Sequence, residues 1–149
     1  MNRLFVVQDE EKMLWLGKRL ASFLKEGDFV ALIGNLGSGK SVFVRGAASY
    51  FGIDHLSSPT FTIVQEYPTN ISFFHFDAYR IQDEFEMLSI GFDDYIKRKG
   101  IIFMEWADLV PGLLPDERME IQIEGSGSEE RKMLFTSYGK HYDEILKEI

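Results

Sequence analysis

The chain has 149 residues, 45% hydrophobic and 27% charged, with 16 Lys and Arg against 24 Asp and Glu for a net charge of −8. One domain with its own core is expected at this length, and neither disorder nor a coiled coil fits the composition. The absence of cysteine excludes disulfides and thiolate chemistry and suits a reducing cytosol, the opening MNRLFVVQDEEK turns acidic too early for a signal peptide, no run is apolar enough for a membrane span, and the acidity argues against gripping bare nucleic acid by bulk charge.

From the start, Arg3 to Val7 is expected as a short strand. Asp9 can cap a helix in which Met13, Leu16, Leu20, Phe23 and Leu24 recur at helical spacing, with Gly27 closing its end. Asp28 to Ile33 is an unbroken apolar run of the kind found in strands buried on both faces, and a helix from Lys40 to Phe51 follows. Phe61 to Tyr67 and Ile71 to Asp77 predict an antiparallel hairpin across Pro68-Thr69-Asn70. Asp83 to Lys99 is expected to be helical with a break near Gly91, and Ile101 to Trp106 is a second buried strand. Arg118 to Glu124 and Arg131 to Tyr138 form another hairpin around Gly125-Ser126-Gly127-Ser128, and the last ten residues are helical. The alternation predicts a three-layer α/β domain spanning 1–149, with a mixed parallel and antiparallel sheet.

The strongest chemical signal is Gly34-Asn35-Leu36-Gly37-Ser38-Gly39-Lys40-Ser41. It matches G-x-x-x-x-G-K-[ST] and lies between a buried strand and a helix, which is the context a phosphate-binding P-loop requires. Its glycines let successive N–H groups face a phosphate chain, and the helix that follows adds its positive end. Lys40 would reach the outer phosphates and the Ser41 hydroxyl would ligate Mg²⁺.

Such a loop needs a further carboxylate to anchor the metal and a group to orient water. Glu105 ends the apolar run Ile101-Ile102-Phe103-Met104, so its carboxylate emerges where ligands of open α/β sheets bind. Asp77, in His75-Phe76-Asp77-Ala78-Tyr79-Arg80, either orients the attacking water or pairs with Arg80 in a turn. Ser57-Ser58-Pro59-Thr60 is either a loop that senses the terminal phosphate or an ordinary turn before a strand. Trp106 either seals the site or joins the core. His75 has no second His or Cys at ligand spacing and reads as a strand residue.

The order GNLGSGKS, SSPTFTIVQEY, HFDAYRI, IIFMEW resembles the bacterial TsaE (YjeE) family of P-loop ATPases over nearly the whole chain. The resemblance implies a small P-loop NTPase-like domain required for the threonylcarbamoyladenosine (t6A) modification beside the tRNA anticodon. It implies partners TsaB and TsaD, whose complex ATP hydrolysis would reset, with tRNA met only through that complex and no membrane or direct DNA contact. Carried over by motif, ATP would be held by Asn35, Leu36, Gly37, Ser38, Gly39, Lys40, Ser41 and Val42, and Mg²⁺ by Ser41 and Glu105. Lys40, Asp77, Glu105 and Thr60 would serve hydrolysis, and Ser58-Pro59-Thr60 would be the switch segment. Adenine contacts are implied near Glu10 and Arg131, though no sharp motif marks either. The family often has an acid where Asn35 stands, Thr for Ser41, Leu for Ala78 and Pro for Ala107; Ser41 keeps the metal-binding hydroxyl. The rival class is a small-molecule P-loop kinase, which usually carries an Arg-rich lid that this chain lacks beyond Arg131 and the isolated Arg80.

Overall fold

The computed structural model describes all 149 residues. Strand β1 (Asn2–Val7) leads to helix α1 (Glu10–Ala21), β2 (Phe29–Gly34), α2 (Lys40–Tyr50), β3 (Val64–Tyr67) and β4 (Phe73–Asp77). Two short helices, α3 (Glu84–Ser89) and α4 (Phe92–Lys97), precede β5 (Ile101–Glu105), and two 3₁₀ turns then lead to β6 (Arg118–Glu124), β7 (Arg131–Tyr138) and α5 (Lys140–Glu148). The seven strands form one sheet in the order β1-β7-β6-β2-β5-β4-β3. Its four inner strands, β6, β2, β5 and β4, run parallel, whereas β7, β1 and β3 pair antiparallel at the margins.

Strand β2 shows why three layers form. Val30 and Leu32 point into a core shared with α1, α2 and α5, while Phe29 and Ala31 point into a second core built with α3 and α4. A strand sealed on both faces has no use for polar alternation, which explains the continuous apolar run. Helices α1 and α2 approach closely because Gly17 and Gly46 carry no side chain. A Cβ on Gly17 would lie 2.3 Å from the Phe43 carbonyl oxygen, and one on Gly46 would lie 2.3 Å from that of Leu14.

The expected elements are present, with shifted ends. Helix α1 stops at Ala21, short of Gly27; Phe23 and Leu24 continue in a turn whose amides bond Leu20 and Ala21. The strand expected from Phe61 begins at Val64, because the Ile63 amide turns back to the Pro59 carbonyl at 2.6 Å and leaves Phe61 81% exposed. The 83–99 segment breaks at Gly91, which adopts φ 94°, a left-handed conformation that suits glycine and starts α4. The 3₁₀ turns at Ala107–Leu109 and Pro111–Leu113 had no sequence signal strong enough to mark them.

Topology decides where the chemistry gathers. Strands β2, β4 and β5 are parallel, so Gly34, Asp77 and Glu105 all emerge at one edge of the sheet. Strand β6 is parallel to β2, and Val7 pairs with Arg131, so the start of α1 and the β6–β7 turn reach that same edge.

Candidate functional site

The loop between β2 and α2 folds tightly over the end of its own strand. A Cβ on Gly34 would meet Ser38 Oγ at 2.7 Å and the Ile123 carbonyl oxygen at 2.8 Å, so only glycine fits there. Gly39 caps α2 at φ 105° and Gly37 stands at φ 78°, both left-handed. The Lys40 side chain curls back within this loop. Its Nζ donates to the carbonyl oxygens of Gly34 at 2.5 Å and Asn35 at 2.8 Å, and more distantly to Ser38 Oγ at 3.4 Å. The ammonium also stands 4.2 Å from the Trp106 ring centroid, close enough for a cation–π attraction. Burial pushes the Lys40 pKa below its usual value, opposed by the carboxylates of Glu105, Asp77 and Asp108.

Asp77 and Glu105 face one another in register on β4 and β5, and both are buried. Glu105 is held at both oxygens: Ser41 Oγ donates to Oε1 at 3.0 Å, and His75 Nε2 lies 2.6 Å from Oε2. Asp77 has a separate set of partners. Its Oδ1 accepts from the Tyr79 amide at 2.9 Å and its Oδ2 from the Thr60 hydroxyl at 3.0 Å; Thr60 in turn lies 2.9 Å from the Ser58 hydroxyl. Burial raises the Asp77 pKa, and the neighbouring Glu105 charge raises it further, against the lowering effect of the Tyr79 and Thr60 hydrogen bonds. The Asp77–Arg80 turn pair is not formed: the Arg80 guanidinium lies over the Phe61 ring, 4.1 Å from its centroid. The Ser57–Thr60 segment therefore ends on the Asp77 carboxylate through Thr60, and the Asp77 amide bonds the Ile63 carbonyl at 2.8 Å.

A cleft of about 560 Å³ opens beside the loop, between the start of α1 and the β6–β7 turn, and Glu10, Leu36, Lys40, Ser41, Val42 and Arg131 are among the residues that line it. Asp77, Glu105 and Thr60 are not part of its wall. Glu10 forms an exposed ion pair with Arg45 at 2.7 Å, which turns that arginine toward α1. Arg131 braces the loop: its Nε donates to the Ser38 carbonyl at 2.9 Å, and its Nη2 to those of Gly127 at 2.9 Å and Gly37 at 3.2 Å. With its donors spent on backbone oxygens, the guanidinium holds the β6–β7 turn against the backbone of the β2–α2 loop.

Trp106 takes the site-side alternative of the two offered by the sequence, and three specific contacts escaped the sequence reading: the His75 bond to Glu105, the Lys40 ammonium over the Trp106 ring, and the Arg131 brace. The first had a signal in strand periodicity. Residues 75 and 77 share one face of β4, and register pairs His75 with Phe103 and Asp77 with Glu105, so the ring and Glu105 carboxylate fall on the same face. The other two depend on a left-handed Trp106 at φ 59° and on a long-range approach across the sheet, neither of which leaves a local pattern.

No group of three or more His, Cys, Asp or Glu side chains assembles as a metal cage. The donor set available at the loop is instead one hydroxyl and one carboxylate, Ser41 and Glu105. That fits Mg²⁺, which takes hard oxygens and commonly only one or two from the protein, the rest coming from water and phosphate. No helix is long and apolar enough to cross a membrane.

Comparison with known proteins places this geometry in context. A family model described as threonylcarbamoyl adenosine biosynthesis protein TsaE matches residues 7–133. A Bacillus subtilis protein named tRNA threonylcarbamoyladenosine biosynthesis protein TsaE is 40% identical over 136 residues, covering 90% of this chain and 85% of its own. Its namesake in Haemophilus influenzae is 36% identical over 129 residues, covering 79% of each chain. A crystal structure of Bacillus subtilis YdiB superposes with a TM-score of 0.84 at 33% identity, covering 99% of this chain and 93% of that one.

Proposed function

The chain belongs to the TsaE family of threonylcarbamoyladenosine biosynthesis proteins, and from that membership and the geometry of its loop we propose that it is a Mg²⁺-dependent ATPase of tRNA modification. The single observation that carries this reading is the hydrogen bond from Ser41 to Glu105 at the head of α2. It brings the hydroxyl of the loop motif and the carboxylate at the end of β5 to within 3.0 Å, the arrangement a cation shared with a nucleotide's phosphates requires. In this reading Gly37, Ser38, Gly39, Lys40 and Ser41 surround the phosphates, and the cleft between Glu10 and Arg131 takes the nucleoside end.

When bound, Mg²⁺ would neutralise phosphate charge as the terminal phosphoryl group departs. Ser41 and Glu105 are the residues that would hold it. Lys40 is placed to leave the Gly34 and Asn35 carbonyls and exchange them for phosphate oxygens. Asp77 accepts a hydrogen bond from Thr60 and lies one strand from Glu105, a position suited to orienting water. Residues Ser58 to Thr60 would then report the terminal phosphate by making or losing the Thr60–Asp77 bond, which gives partners a nucleotide-dependent surface.

The partners proposed are TsaB and TsaD, with hydrolysis resetting their complex in the cytoplasm and tRNA met only through it. The test of the site is Glu105→Ala under single-turnover conditions. Nucleotide should still bind, because the loop is intact, while hydrolysis falls by at least about tenfold. A variant that hydrolyses ATP at the wild-type rate would move the metal-side carboxylate elsewhere.

A further inference from the structure

His75 is a buried polar group to which the proposed mechanism gives no role. It is 1% exposed on β4, between Phe74 and Phe76, themselves fully buried. Its Nε2 lies 2.6 Å from Glu105 Oε2, and its Nδ1 is the one buried side-chain nitrogen or oxygen in the chain without a hydrogen-bond partner. A ring kept there only for packing would be better served by an apolar side chain, since the unpartnered nitrogen gains nothing from burial. What the ring does provide is a hydrogen-bond partner for one oxygen of Glu105. With Oε2 occupied, rotation of the carboxylate is restricted and Oε1 is the oxygen left facing Ser41, 3.0 Å away.

We propose that His75 is a positioning residue for nucleotide-linked cation binding: its Nε2–H donates to Glu105 Oε2 and aims Oε1 at the side of the site where Ser41 stands. This rests on the reading of Glu105 as the metal-side carboxylate. Outer hydrogen bonds of this kind orient ligating carboxylates, and their loss typically costs about 10–100-fold in metal affinity or activity. The bond also crosses from β4 to β5, so it fixes Glu105 to the same strand that presents Asp77 two residues further on.

Three substitutions separate positioning from packing. In His75→Gln the side-chain amide nitrogen can reach close to the Nε2 position, in His75→Asn it stops near Nδ1, and in His75→Leu it is absent. ATP affinity is measured by calorimetry with Mg²⁺ and with EDTA, alongside single-turnover hydrolysis. The wild type should bind ATP more tightly with Mg²⁺. His75→Leu and His75→Asn should keep the EDTA affinity within about twofold, lose most of the Mg²⁺-dependent gain, and hydrolyse at least about tenfold more slowly. His75→Gln should retain both properties within about threefold.

If His75→Leu does not fold, the Gln and Asn variants, both polar, carry the comparison. Nitrogen-15 NMR of the nucleotide-free wild type adds a readout independent of catalysis and should show a proton on Nε2. The proposal is overturned if Asn and Gln behave alike, if Leu keeps the full Mg²⁺ gain, or if Nε2 carries no proton. A wild type with no Mg²⁺ gain at all would instead overturn the reading of Glu105, and the proposal with it.

Discussion

Asp77 and Glu105 sit opposite one another in register on adjacent parallel strands, yet no hydrogen-bond partner is shared between their side chains. Glu105 is tied to the start of α2 through Ser41, and Asp77 is tied to the loop before β3 through Thr60. Burial, with the neighbouring Glu105 charge adding to it, raises the pKa of Asp77, and the separate partners link Glu105 to the start of α2 and Asp77 to the Ser58–Thr60 segment. A single strand register thus brings the Ser41–Glu105 and Thr60–Asp77 hydrogen bonds onto neighbouring strand ends.

Lys40→Ala should weaken Mg·ATP binding by roughly one to two decades, the scale of a charge-assisted contact worth about 1.5–3 kcal/mol. The loop's own Gly34 and Asn35 carbonyls would lose their donor as well. Calorimetric titration measures it, and a variant with wild-type affinity would refute the assignment of this loop to phosphate binding.

Asp77→Asn should slow hydrolysis while making the fold more stable at neutral pH. Burial and the Glu105 charge raise the folded pKa of Asp77 above its unfolded value, so the ionised side chain destabilises the native state. Between the two pKa values the native state holds more protons, and stability therefore rises as pH falls through the folded value. The neutral Asn variant should melt a few degrees higher at pH 7, since about 1 kcal/mol shifts Tm by roughly 2–4 °C in a chain this size. That advantage should shrink as pH falls through the folded pKa of Asp77. Melting curves across a pH series check the sign, and an Asn variant that melts lower at pH 7 would show that the Thr60 and Tyr79 hydrogen bonds outweigh the burial cost.

The sheet and the loop were legible for reasons that can be traced to residues. The apolar runs at Phe29–Ile33 and Ile101–Met104 mark strands sealed on both faces, and Gly91 marks a helix break, because each signal is local in the chain. Strand ends were less legible: Ile63 adopts φ 72° under the pull of the Pro59 carbonyl and the Asp77 amide, a constraint imposed from outside the segment. The same division holds in the site. Lys40 and Ser41 announce themselves through a contiguous motif, whereas the Arg131 brace joins residues 93 apart in sequence and the His75–Glu105 bond joins residues 30 apart. Strand periodicity puts His75 on the same face as Asp77, but the contact with Glu105 depends on the β4–β5 register, which no local pattern records.

We propose that this site hydrolyses Mg·ATP and that partner proteins control the rate. Arg45 is committed to Glu10 and Arg80 lies over Phe61, so neither is oriented as an arginine finger, a device worth about three to five decades in rate. The net charge of −8 favours a basic docking face and association that weakens as salt rises. The most direct measurement is phosphate release from ATP by the purified chain, alone and with the TsaB–TsaD pair, with Mg²⁺ or EDTA and at two salt concentrations. Release by the chain alone should be slow and Mg²⁺-dependent, the pair should stimulate it, and the stimulation should be smaller at high salt. Equal rates with and without the pair, in a sample where binding is shown independently, would contradict partner control; transfer of the phosphoryl group to a small-molecule acceptor instead of water would contradict the ATPase itself.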